Sequence, residues 1–355
     1  MKATSNGGFY FFIKALTLHK IIKMLFSLII PVYNRPDEID ELLESLCRQT
    51  YKGEFETVIV EDGSVLPCSE VIKKHSEKLF ISYYFKSNSG PGDSRNFGMD
   101  NARGDYFIIL DSDCILPPDY LENIHNNLSA QFTDCFGGPD NALPSFSNVQ
   151  KAINFAMTSV ITTGGVRGAS EKISKFQPRS FNMGLSKNAY IATGGFGNIH
   201  PGEDPDLSIR LWKLGYKTTL FTNAFVYHKR RIDWQKFYVQ VNKFGKARPI
   251  LDLWHPEYKK ITFLFPSLFI TGFTLSVVFM LAGVFFPIYL YLLYFLAVFL
   301  LSIAKDNNLV IGFFSVAAVF IQFYGYGMGY IRSLIAVHLL KNKPETAFPE
   351  LFFKS

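Results

Sequence analysis

Short apolar runs alternate with amphipathic segments in the first part of the chain. Four runs have the length and composition of buried strands: residues 26–31, 55–60, 81–85 and 106–110. Three segments with apolar residues at helical spacing follow them: residues 37–48, 69–79 and 95–102. This alternation predicts an α/β fold with a doubly wound parallel sheet, in which ligands bind at the carboxyl ends of the strands.

The last quarter of the chain is apolar over lengths that suit a lipid bilayer. Residues 261–304 contain no Asp, Glu, Lys or Arg, and residues 307–331 form a second uncharged stretch. A helix needs about 20 apolar residues to cross a bilayer. The first stretch is therefore long enough for two transmembrane helices with a turn near Phe286-Pro287. The second stretch predicts a third segment that either crosses the bilayer, lies in its interface or re-enters it.

The formal net charge of +6 is unevenly distributed along the 355 residues. Residues 24–227 hold more acidic than basic residues, which argues against a nucleic-acid-binding surface there. Residues 228–260 are rich in Lys and Arg and directly precede the apolar region. Basic residues beside a membrane span favour the cytoplasmic side and anionic lipids. We therefore expect residues 24–260 to lie in the cytoplasm, at the inner membrane of the cell.

Four cysteines are scattered along the chain without a C-x-x-C pair: Cys47, Cys68, Cys114 and Cys135. This spacing favours reduced thiols over a disulfide framework or a zinc site.

Polar residues follow three of the predicted strands, as Tyr33-Asn34, Glu61-Asp62 and Asp111-Ser112-Asp113. Because the carboxyl ends of parallel strands share one edge of a sheet, we expect these groups to converge on one cleft. In an extended D-x-D segment both carboxylates can approach one hard cation, whose remaining ligands are water and phosphate. The same pattern alone is also common in solvated turns, so its position after a strand is what gives it weight.

The order of these motifs resembles that of the family 2 glycosyltransferases, which have a GT-A nucleotide-sugar-binding fold. The resemblance covers about residues 26–230 and rests on these segments: 30–35 (IPVYNR), 60–64 (VEDGS), 88–98 (NSGPGDSRNFG), 111–113 (DSD), 194–196 (GGF) and 202–210 (GEDPDLSIR). Two positions depart mildly from the family pattern, because Glu61 stands where Asp is common and Ser94 stands where Ala is common. The implied fold is a mostly parallel sheet followed by C-terminal transmembrane helices.

The resemblance implies a role for each matching residue. It assigns the nucleotide-sugar donor to Pro31, Tyr33, Asn34, Glu61, Asp62, Arg95, Asp111 and Ser112. It assigns a divalent cofactor, Mg²⁺ or Mn²⁺, to Asp113. His228, after the late strand predicted at residues 218–227, is either a further metal ligand or an ordinary polar residue.

Asp204 is the expected general base, since transfer with inversion requires one carboxylate to take the proton of the acceptor hydroxyl. Glu203 is expected to orient Asp204 or the acceptor. The alternative for both is a structural role, with acidic residues at the positive end of a helix. On the acceptor side, the resemblance implies Asn182, Gly194 and Gly195.

The predicted domains, in chain order, are an N-terminal extension (1–23), the GT-A domain (24–230), a basic juxtamembrane segment (231–260), the transmembrane region (261–337) and a C-terminal tail (338–355). Residues 1–23 are either an extension before a true start at Met24 or a basic helix at the membrane interface.

The expected function is transfer of one sugar from a UDP-sugar to a lipid-linked saccharide at the cytoplasmic membrane face. Processive relatives carry Q-x-x-R-W before their membrane helices, whereas this chain has Gln240-Val241-Asn242-Lys243-Phe244. The missing Trp removes a flat surface on which a growing sugar chain would stack. Three alternatives remain: a polyprenyl-phosphate glycosyl synthase using Lys229, Arg230 and Arg231, a processive polysaccharide synthase, and a non-catalytic membrane scaffold.

Overall fold

The computed structural model describes residues 24–141, 146–163, 176–228 and 233–353. The chain divides into two compact units. Of the described residues, the sheet unit comprises 24–141, 176–196 and 210–227, and the helical unit comprises 146–163, 197–209, 228 and 233–353. The predicted 24–230 domain thus contributes residues to both units. The N-terminal extension and the basic run Lys229, Arg230 and Arg231 lie outside the described residues.

Ten strands are present in the part of the chain that the structure describes: β1 (Phe26–Val32), β2 (Phe55–Asp62), β3 (Ile81–Lys86), β4 (Tyr106–Leu110), β5 (Cys114–Ile115), β6 (Cys135–Gly137), β7 (Asp140–Asn141), β8 (Asn182–Ser186), β9 (Thr218–Leu220) and β10 (Val226–His228). Seven of them form a sheet in the order β3-β2-β1-β4-β8-β6-β9, and three form a smaller sheet in the order β5-β10-β7. In the larger sheet only β8 runs antiparallel to its neighbours. The predicted doubly wound, mostly parallel sheet is therefore confirmed.

The α-helices of the same ranges are α1 (Pro36–Cys47), α2 (Ser69–His75), α3 (Pro91–Asp100), α4 (Tyr120–Ala130), α5 (Asn148–Thr158), α6 (Val160–Thr163), α7 (Lys187–Thr193), α8 (Glu203–Lys213), α9 (Trp234–Trp254), α10 (Phe265–Leu281), α11 (Phe286–Asp306), α12 (Leu309–Ser333) and α13 (Pro344–Ala347). The apolar positions Ile39, Leu42, Leu43 and Leu46 of α1 are all buried, as their helical spacing predicts. Helix α3 begins earlier than predicted, at Pro91, because proline is preorganised for the first helical position.

The core of the sheet unit lies around β1 and β4, whose side chains are buried on both faces. Such strands read as continuous apolar runs in the sequence. The prediction of one strand over residues 218–227 is wrong, since β9 and β10 are separate. Between them the backbone turns, and the N–H of Ala224 donates to the carbonyl of Phe221 over 3.1 Å. His228 is consequently the last residue of β10 rather than the residue after a longer strand.

Within its described residues, the helical unit contains three helices that are long and apolar enough to cross a membrane, at Ile261–Leu281, Phe286–Asp306 and Leu309–Leu339. The first two are joined at residues 282–285. This connection lies next to Phe286-Pro287, as predicted, and Phe286 and Pro287 themselves begin α11, because proline suits a helix start. The third helix runs beyond the predicted 331 to Ser333 and continues as a π-helical segment to Leu339.

Glycines allow α9 to pack closely against α12. A Cβ on Gly329 would collide with the carbonyl oxygen of Asn242, and a Cβ on Gly245 would collide with the carbonyl oxygen of Tyr326. The Nδ2 atom of Asn242 also donates a hydrogen bond of 2.9 Å to the carbonyl of Gly325. The glycines of α12 therefore do not interrupt this helix. They allow the backbone of α9 to approach it closely, as small residues do at helix interfaces.

Candidate functional site

Arg95 and Asp111 form an ion pair at the carboxyl end of β4. Helix α3 holds the Arg95 side chain in a buried position, with 3% of the residue exposed. Its Nη2 atom donates to Oδ1 of Asp111 over 2.7 Å, and its guanidinium carbon lies 5.3 Å from the centre of the Phe196 ring. Two residues that the sequence predicts as separate donor contacts are thus one structural unit.

Asp111-Ser112-Asp113 forms a turn, which corrects the expectation of an extended D-x-D segment. The N–H of Cys114 donates to the carbonyl of Asp111 over 3.2 Å, and this bond closes the turn. Ser112 is buried within it. The Asp111 carboxylate faces Arg95, whereas Oδ2 of Asp113 lies 3.7 Å from Nη1 of Arg35. The Asp111 carboxylate is thus hydrogen-bonded to Arg95, and the Asp113 carboxylate lies beside Arg35.

Arg35 is a residue whose role the sequence did not identify, although it is the last residue of the first motif. Its Nη1 atom donates to both carboxylate oxygens of Glu38, over 2.8 and 2.6 Å. Burial by itself lowers the pKa of Arg35, but Glu38, Asp113 and Asp111 outweigh it and leave the pKa above its ordinary value. A permanently charged guanidinium therefore lies beside the D-x-D turn.

Asn34 shapes the loop after β2. It has a left-handed backbone with φ of 54°, which Asn tolerates better than most residues. Its Oδ1 atom accepts hydrogen bonds from the N–H groups of Val65 and Leu66, over 2.7 and 3.0 Å, and its own N–H donates to Oγ of Ser64. The neighbouring Tyr33 has 51% of its surface exposed and Pro31 is partly exposed, so both residues are accessible from solvent.

Asp62 organises the loop that leads into α3. Its Oδ1 atom accepts from the N–H of Ser89 and its Oδ2 atom from the N–H of Gly90, both over 2.9 Å. Nζ of Lys86 donates to the same carboxylate over 3.0 Å. The buried carboxylate is thus fully engaged by charge-assisted hydrogen bonds that fix the backbone near the start of α3.

Glu61 points into the protein interior. It is fully buried, and its Oε2 atom accepts from the N–H and Sγ–H of Cys68 and from Oη of Tyr83, over 2.8, 2.9 and 3.0 Å. Burial, reinforced by this carboxylate, raises the pKa of the Cys68 thiol and of the Tyr83 hydroxyl. The side chain belongs to an internal hydrogen-bond cluster, so Glu61 is not among the proposed contacts to the nucleotide sugar.

Asn182 has a similar internal position on β8. The residue is fully buried, its Oδ1 atom accepts from Oη of Tyr120 over 2.7 Å, and its Nδ2 atom donates to the carbonyl of Ala224 over 2.8 Å. A carboxamide with these partners ties together parts of the sheet unit and offers no exposed surface to an acceptor. We therefore omit Asn182 from the proposed acceptor contacts.

Gly194 and Gly195 form the corner after α7. Both have positive φ, 73° and 75°, a conformation that glycine adopts without strain. Arg210, which the sequence placed only within a motif, fastens the corner by donating to the carbonyls of Thr193 and Gly195 over 2.5 and 2.6 Å. The N–H of Phe196 donates to Oδ1 of Asn96 over 2.8 Å. The corner is thus a rigid part of the sheet unit.

In the helical unit, two histidines hold the acidic residues at the start of α8. Nδ1 of His200 lies 2.8 Å from Oε1 of Glu203, and Nε2 of His255 lies 2.8 Å from Oδ1 of Asp206. The N–H of Gly202 also donates to Oε2 of Glu203, over 2.9 Å. Asp204 lies between these two anchored carboxylates in the sequence. Neither histidine had a signal in the sequence, because His255 is 49 residues from its partner and His200 is outside the recognised motif.

The carboxylate of Asp113 is a suitable ligand for a hard divalent cation. Its side chain is 12% exposed and supplies carboxylate oxygens, the ligands that Mg²⁺ and Mn²⁺ prefer. His228 ends β10, which is the central strand of the three-stranded sheet and the neighbour of β5. Strand β5 begins at Cys114, directly after Asp113.

Comparisons with known proteins identify part of the chain. Residues 27–190 match the family model described as glycosyl transferase family 2. An uncharacterized glycosyltransferase of Rickettsia felis is 43% identical over 96 residues, which are 27% of this chain and 16% of that protein. The poly(ribitol-phosphate) beta-N-acetylglucosaminyltransferase TarS of Staphylococcus aureus is 36% identical over 114 residues, which are 31% of this chain and 19% of that protein.

A solved structure resembles the fold over nearly the full length. The mannosyltransferase PcManGT from Pyrobaculum calidifontis, in complex with GDP-Man and Mn²⁺, matches with a TM-score of 0.54 and 13% identity, covering 95% of this chain and 97% of that one. Together with the sheet order, this confirms the predicted GT-A fold. The matched regions span only 16% and 19% of the two curated relatives, so the activity of the whole protein is a matter for proposal.

Proposed function

We propose that the protein transfers a sugar from a nucleotide-diphosphate donor to an acceptor hydroxyl, because residues 27–190 match the family model described as glycosyl transferase family 2. The observation that carries this proposal is the clustering of polar groups at one edge of the sheet unit. Strands β2, β1 and β4 are adjacent and parallel, and Asp62, Asn34 and Asp111 lie at their carboxyl ends. This is the edge at which doubly wound sheets bind ligands. TarS is named as an N-acetylglucosaminyltransferase, and PcManGT was solved with GDP-Man, which supports a nucleotide sugar as donor.

On the donor side, the proposed contacts are Pro31, Tyr33, Asn34, Asp62, Arg95, Asp111 and Ser112. Tyr33 offers an exposed ring to the base, while Asn34 and Asp62 fix the loops around it. The Arg95 guanidinium provides positive charge next to the place where a diphosphate would lie. Asp113 and His228 would hold Mg²⁺ or Mn²⁺, which when bound supplies further positive charge for the departing diphosphate.

On the acceptor side, Asp204 is the proposed general base. The acceptor oxygen attacks the anomeric carbon, the bond from that carbon to the diphosphate oxygen breaks, and the nucleoside diphosphate leaves. The proton of the acceptor hydroxyl passes to the Asp204 carboxylate. A single displacement of this kind inverts the anomeric configuration. Glu203, held by His200 and the N–H of Gly202, keeps the backbone of this motif in place.

We further propose that the donor is a UDP-sugar and the acceptor a lipid-linked saccharide at the cytoplasmic face of the inner membrane. Three apolar helices of sufficient length support a membrane location. The segment Gln240–Phe244 lies within α9, and its residues Val241 and Asn242 are buried against α12. Phe244 stands where processive relatives carry Trp, and this smaller aromatic surface supports addition of one sugar over processive synthesis.

The experiment that tests the function uses the full-length chain in membranes, incubated with a panel of nucleotide sugars and either Mg²⁺ or Mn²⁺. Parallel reactions contain or omit a lipid extract, and product length is measured by mass spectrometry. We expect transfer only with the extract and addition of one sugar. Transfer to a polyprenyl phosphate alone would favour the synthase alternative, and long homopolymers would favour processive synthesis. No transfer of any sugar under any of these conditions contradicts the proposal.

A further inference from the structure

The C-terminal segment, defined here as Pro344–Phe353, returns to the loop that precedes Glu203. The N–H of His200 donates to the carbonyl of Leu351 over 2.7 Å, and Ile199 and Phe352 form an antiparallel bridge. The Nδ2 atom of Asn198 donates to the carbonyl of Phe353 over 2.9 Å. The segment therefore adds a short strand-like contact to this loop.

Side chains of the C-terminal segment also pack against the loop and against α9. Leu351 is fully buried in a cluster whose buried members are Ile199, Ala247, Ile250, Val337, Phe348 and Leu351. Nζ of Lys246 lies 2.7 Å from Oε1 of Glu350, and the same Nζ is 5.7 Å from the centre of the Phe348 ring. The C-terminal segment is thus packed against α9 as well as against the loop.

The contact joins two parts of the chain that lie on either side of the apolar region in the sequence. Helix α9 precedes the apolar region, separated from α10 only by two short 3-10 turns. The C-terminal segment follows the end of the apolar region after residues 340–343. The entry to the apolar region and its exit are consequently bound to each other within the helical unit.

Helices α10 and α12 pair in opposite directions. A Cβ on Gly327 would lie 2.9 Å from the carbonyl oxygen of Pro266. Further along α10, Phe269 contacts Phe323 at 4.6 Å between ring centres, and Phe273 contacts Phe320 at 5.6 Å. Residue numbers rise along α10 as they fall along α12, so α12 returns the chain to the level at which α10 starts.

From these contacts we infer that the apolar region crosses the bilayer an even number of times, with the C-terminal segment on the same side as Glu203 and Asp204. Three crossings would separate entry and exit by a hydrocarbon layer of about 30 Å, which a hydrogen bond of 2.7 Å between His200 and Leu351 excludes. Because α11 connects the far ends of α10 and α12, it is the helix that does not cross. The inference rests on the proposed membrane location and not on the proposed sugar transfer.

The charge pattern supports this topology independently. Lys341 and Lys343 follow the last apolar helix, and three crossings would place them outside, against the tendency of basic residues to remain cytoplasmic. With an even number of crossings they join Lys243 and Lys246 of α9 on one membrane face.

Cysteine labelling tests the topology. Lys343→Cys reports the exit of the apolar region, Val284→Cys and Lys305→Cys report the two ends of α11, and Lys52→Cys, on the exposed surface of the sheet unit, is the reference. A membrane-impermeant maleimide is applied to intact spheroplasts and to inverted vesicles, with the unmodified chain as background for the native cysteines. Because the readout is labelling, it does not depend on activity.

We expect Lys343→Cys to be labelled from the same side as Lys52→Cys. We expect Val284→Cys and Lys305→Cys either to share one side or to be protected together. Labelling of Lys343→Cys from the side opposite to Lys52→Cys would overturn the inference, as would labelling of the two α11 positions from opposite sides. Recovery of the chain in the soluble fraction, with no membrane association, would also overturn it.

Discussion

Arg95 donates a hydrogen bond of 2.7 Å to Asp111, so a buried cation and the first carboxylate of the D-x-D turn are held as a pair. The pair joins α3, which begins at the loop fixed by Asp62, to the carboxyl end of β4. A donor that binds at this edge of the sheet therefore meets a site whose charges are already oriented. Preorganisation of this kind reduces the cost of ordering charged side chains during binding.

The first prediction concerns this pair. Arg95→Met removes the guanidinium and leaves Asp111 as an uncompensated negative charge near a negatively charged donor. We expect donor affinity, measured by isothermal titration calorimetry, to fall by at least about tenfold, because charge-assisted contacts of this kind are the strong ones. Arg95→Lys keeps the charge but loses the planar guanidinium, so its donor affinity should lie between those of the unmodified protein and Arg95→Met.

The control for this prediction is Arg48→Met, which removes an equal charge from an exposed position that pairs only loosely with Glu44, at 3.4 Å. It should leave donor affinity unchanged. Donor affinity in Arg95→Met equal to that of the unmodified protein, at an unchanged unfolding temperature, would show that the pair has no part in donor binding.

The second prediction separates binding from chemistry. Asp204→Asn removes the proposed proton acceptor while preserving the size and shape of the side chain. We expect kcat to fall by roughly 10²–10⁴-fold, the usual contribution of general base catalysis, with donor affinity nearly unchanged. Asp119→Asn, the same substitution at an exposed residue, is the control and should retain full activity. Near-normal turnover in Asp204→Asn would reject Asp204 as the base.

The sequence predicted the sheet well because its central strands β1, β2 and β4 are buried on both faces and so appear as uninterrupted apolar runs. Strand β4 has the predicted bounds, and β1, β2 and β3 differ from prediction by one or two residues. It predicted the late strands poorly, because most residues from Thr218 to Tyr227 are apolar or β-branched and the turn that separates β9 from β10 is marked only by Asn223, without glycine or proline.

For the candidate site, sequence motifs identified residue types but not the direction of each side chain. Glu61 lies next to Asp62 in the motif, yet one binds Cys68 and Tyr83 in the interior and the other binds loop N–H groups. This difference depends on partners distant in the sequence. The same holds for His255, whose contact with Asp206 joins two segments that no motif links. The proposed roles of these residues remain predictions to be tested.

The third prediction concerns the metal. Asp113→Asn weakens a hard oxygen ligand, and we expect the Mn²⁺ concentration for half-maximal activity to rise at least about tenfold. His228→Ala should shift it in the same direction if the imidazole is a ligand. Chelation of divalent ions with EDTA should abolish transfer by the unmodified protein, and added Mn²⁺ should restore it. Full transfer in the presence of excess chelator would contradict a metal role for Asp113.

The fourth prediction is a pH dependence of stability that arises from Glu56. Burial alone raises the pKa of this carboxyl, but hydrogen bonds from Ser27, from Arg103 and from the N–H of Gly104 outweigh burial and leave the pKa below its ordinary value. A carboxyl with a lowered pKa stabilises the folded state when the pH is above the ordinary pKa of the group. This stabilisation is lost as the pH falls through the lowered pKa. Glu56→Gln should therefore lower the free energy of unfolding at pH 7 by about 1.5–3 kcal/mol, the usual value of a hydrogen bond to a charged group.

The measurement is the thermal unfolding of both proteins in detergent between pH 7 and pH 3. The difference between the unmodified protein and Glu56→Gln should be largest at pH 7 and should shrink in acid. Glu54→Gln, which changes an exposed residue two positions away, should show no such difference. A difference between Glu56→Gln and the unmodified protein that is constant with pH would mean that the charge of Glu56 does not stabilise the fold.

The fifth prediction tests whether the C-terminal segment supports the loop before Glu203. Leu351→Ala opens a cavity in the cluster formed with Ile199 and Ile250, and such changes cost roughly 2–5 kcal/mol where a leucine is fully buried. Because the backbone of Leu351 also accepts the hydrogen bond from His200, loosening this contact should disorder the segment that carries Glu203 and Asp204. We expect kcat to fall several-fold while donor affinity, which depends on residues of the sheet unit, is retained. Leu340→Ala, the same change at an exposed leucine, should have no effect on either quantity. If Leu351→Ala turns over at the normal rate although its unfolding temperature is reduced, the segment contributes stability alone and has no part in positioning the catalytic loop.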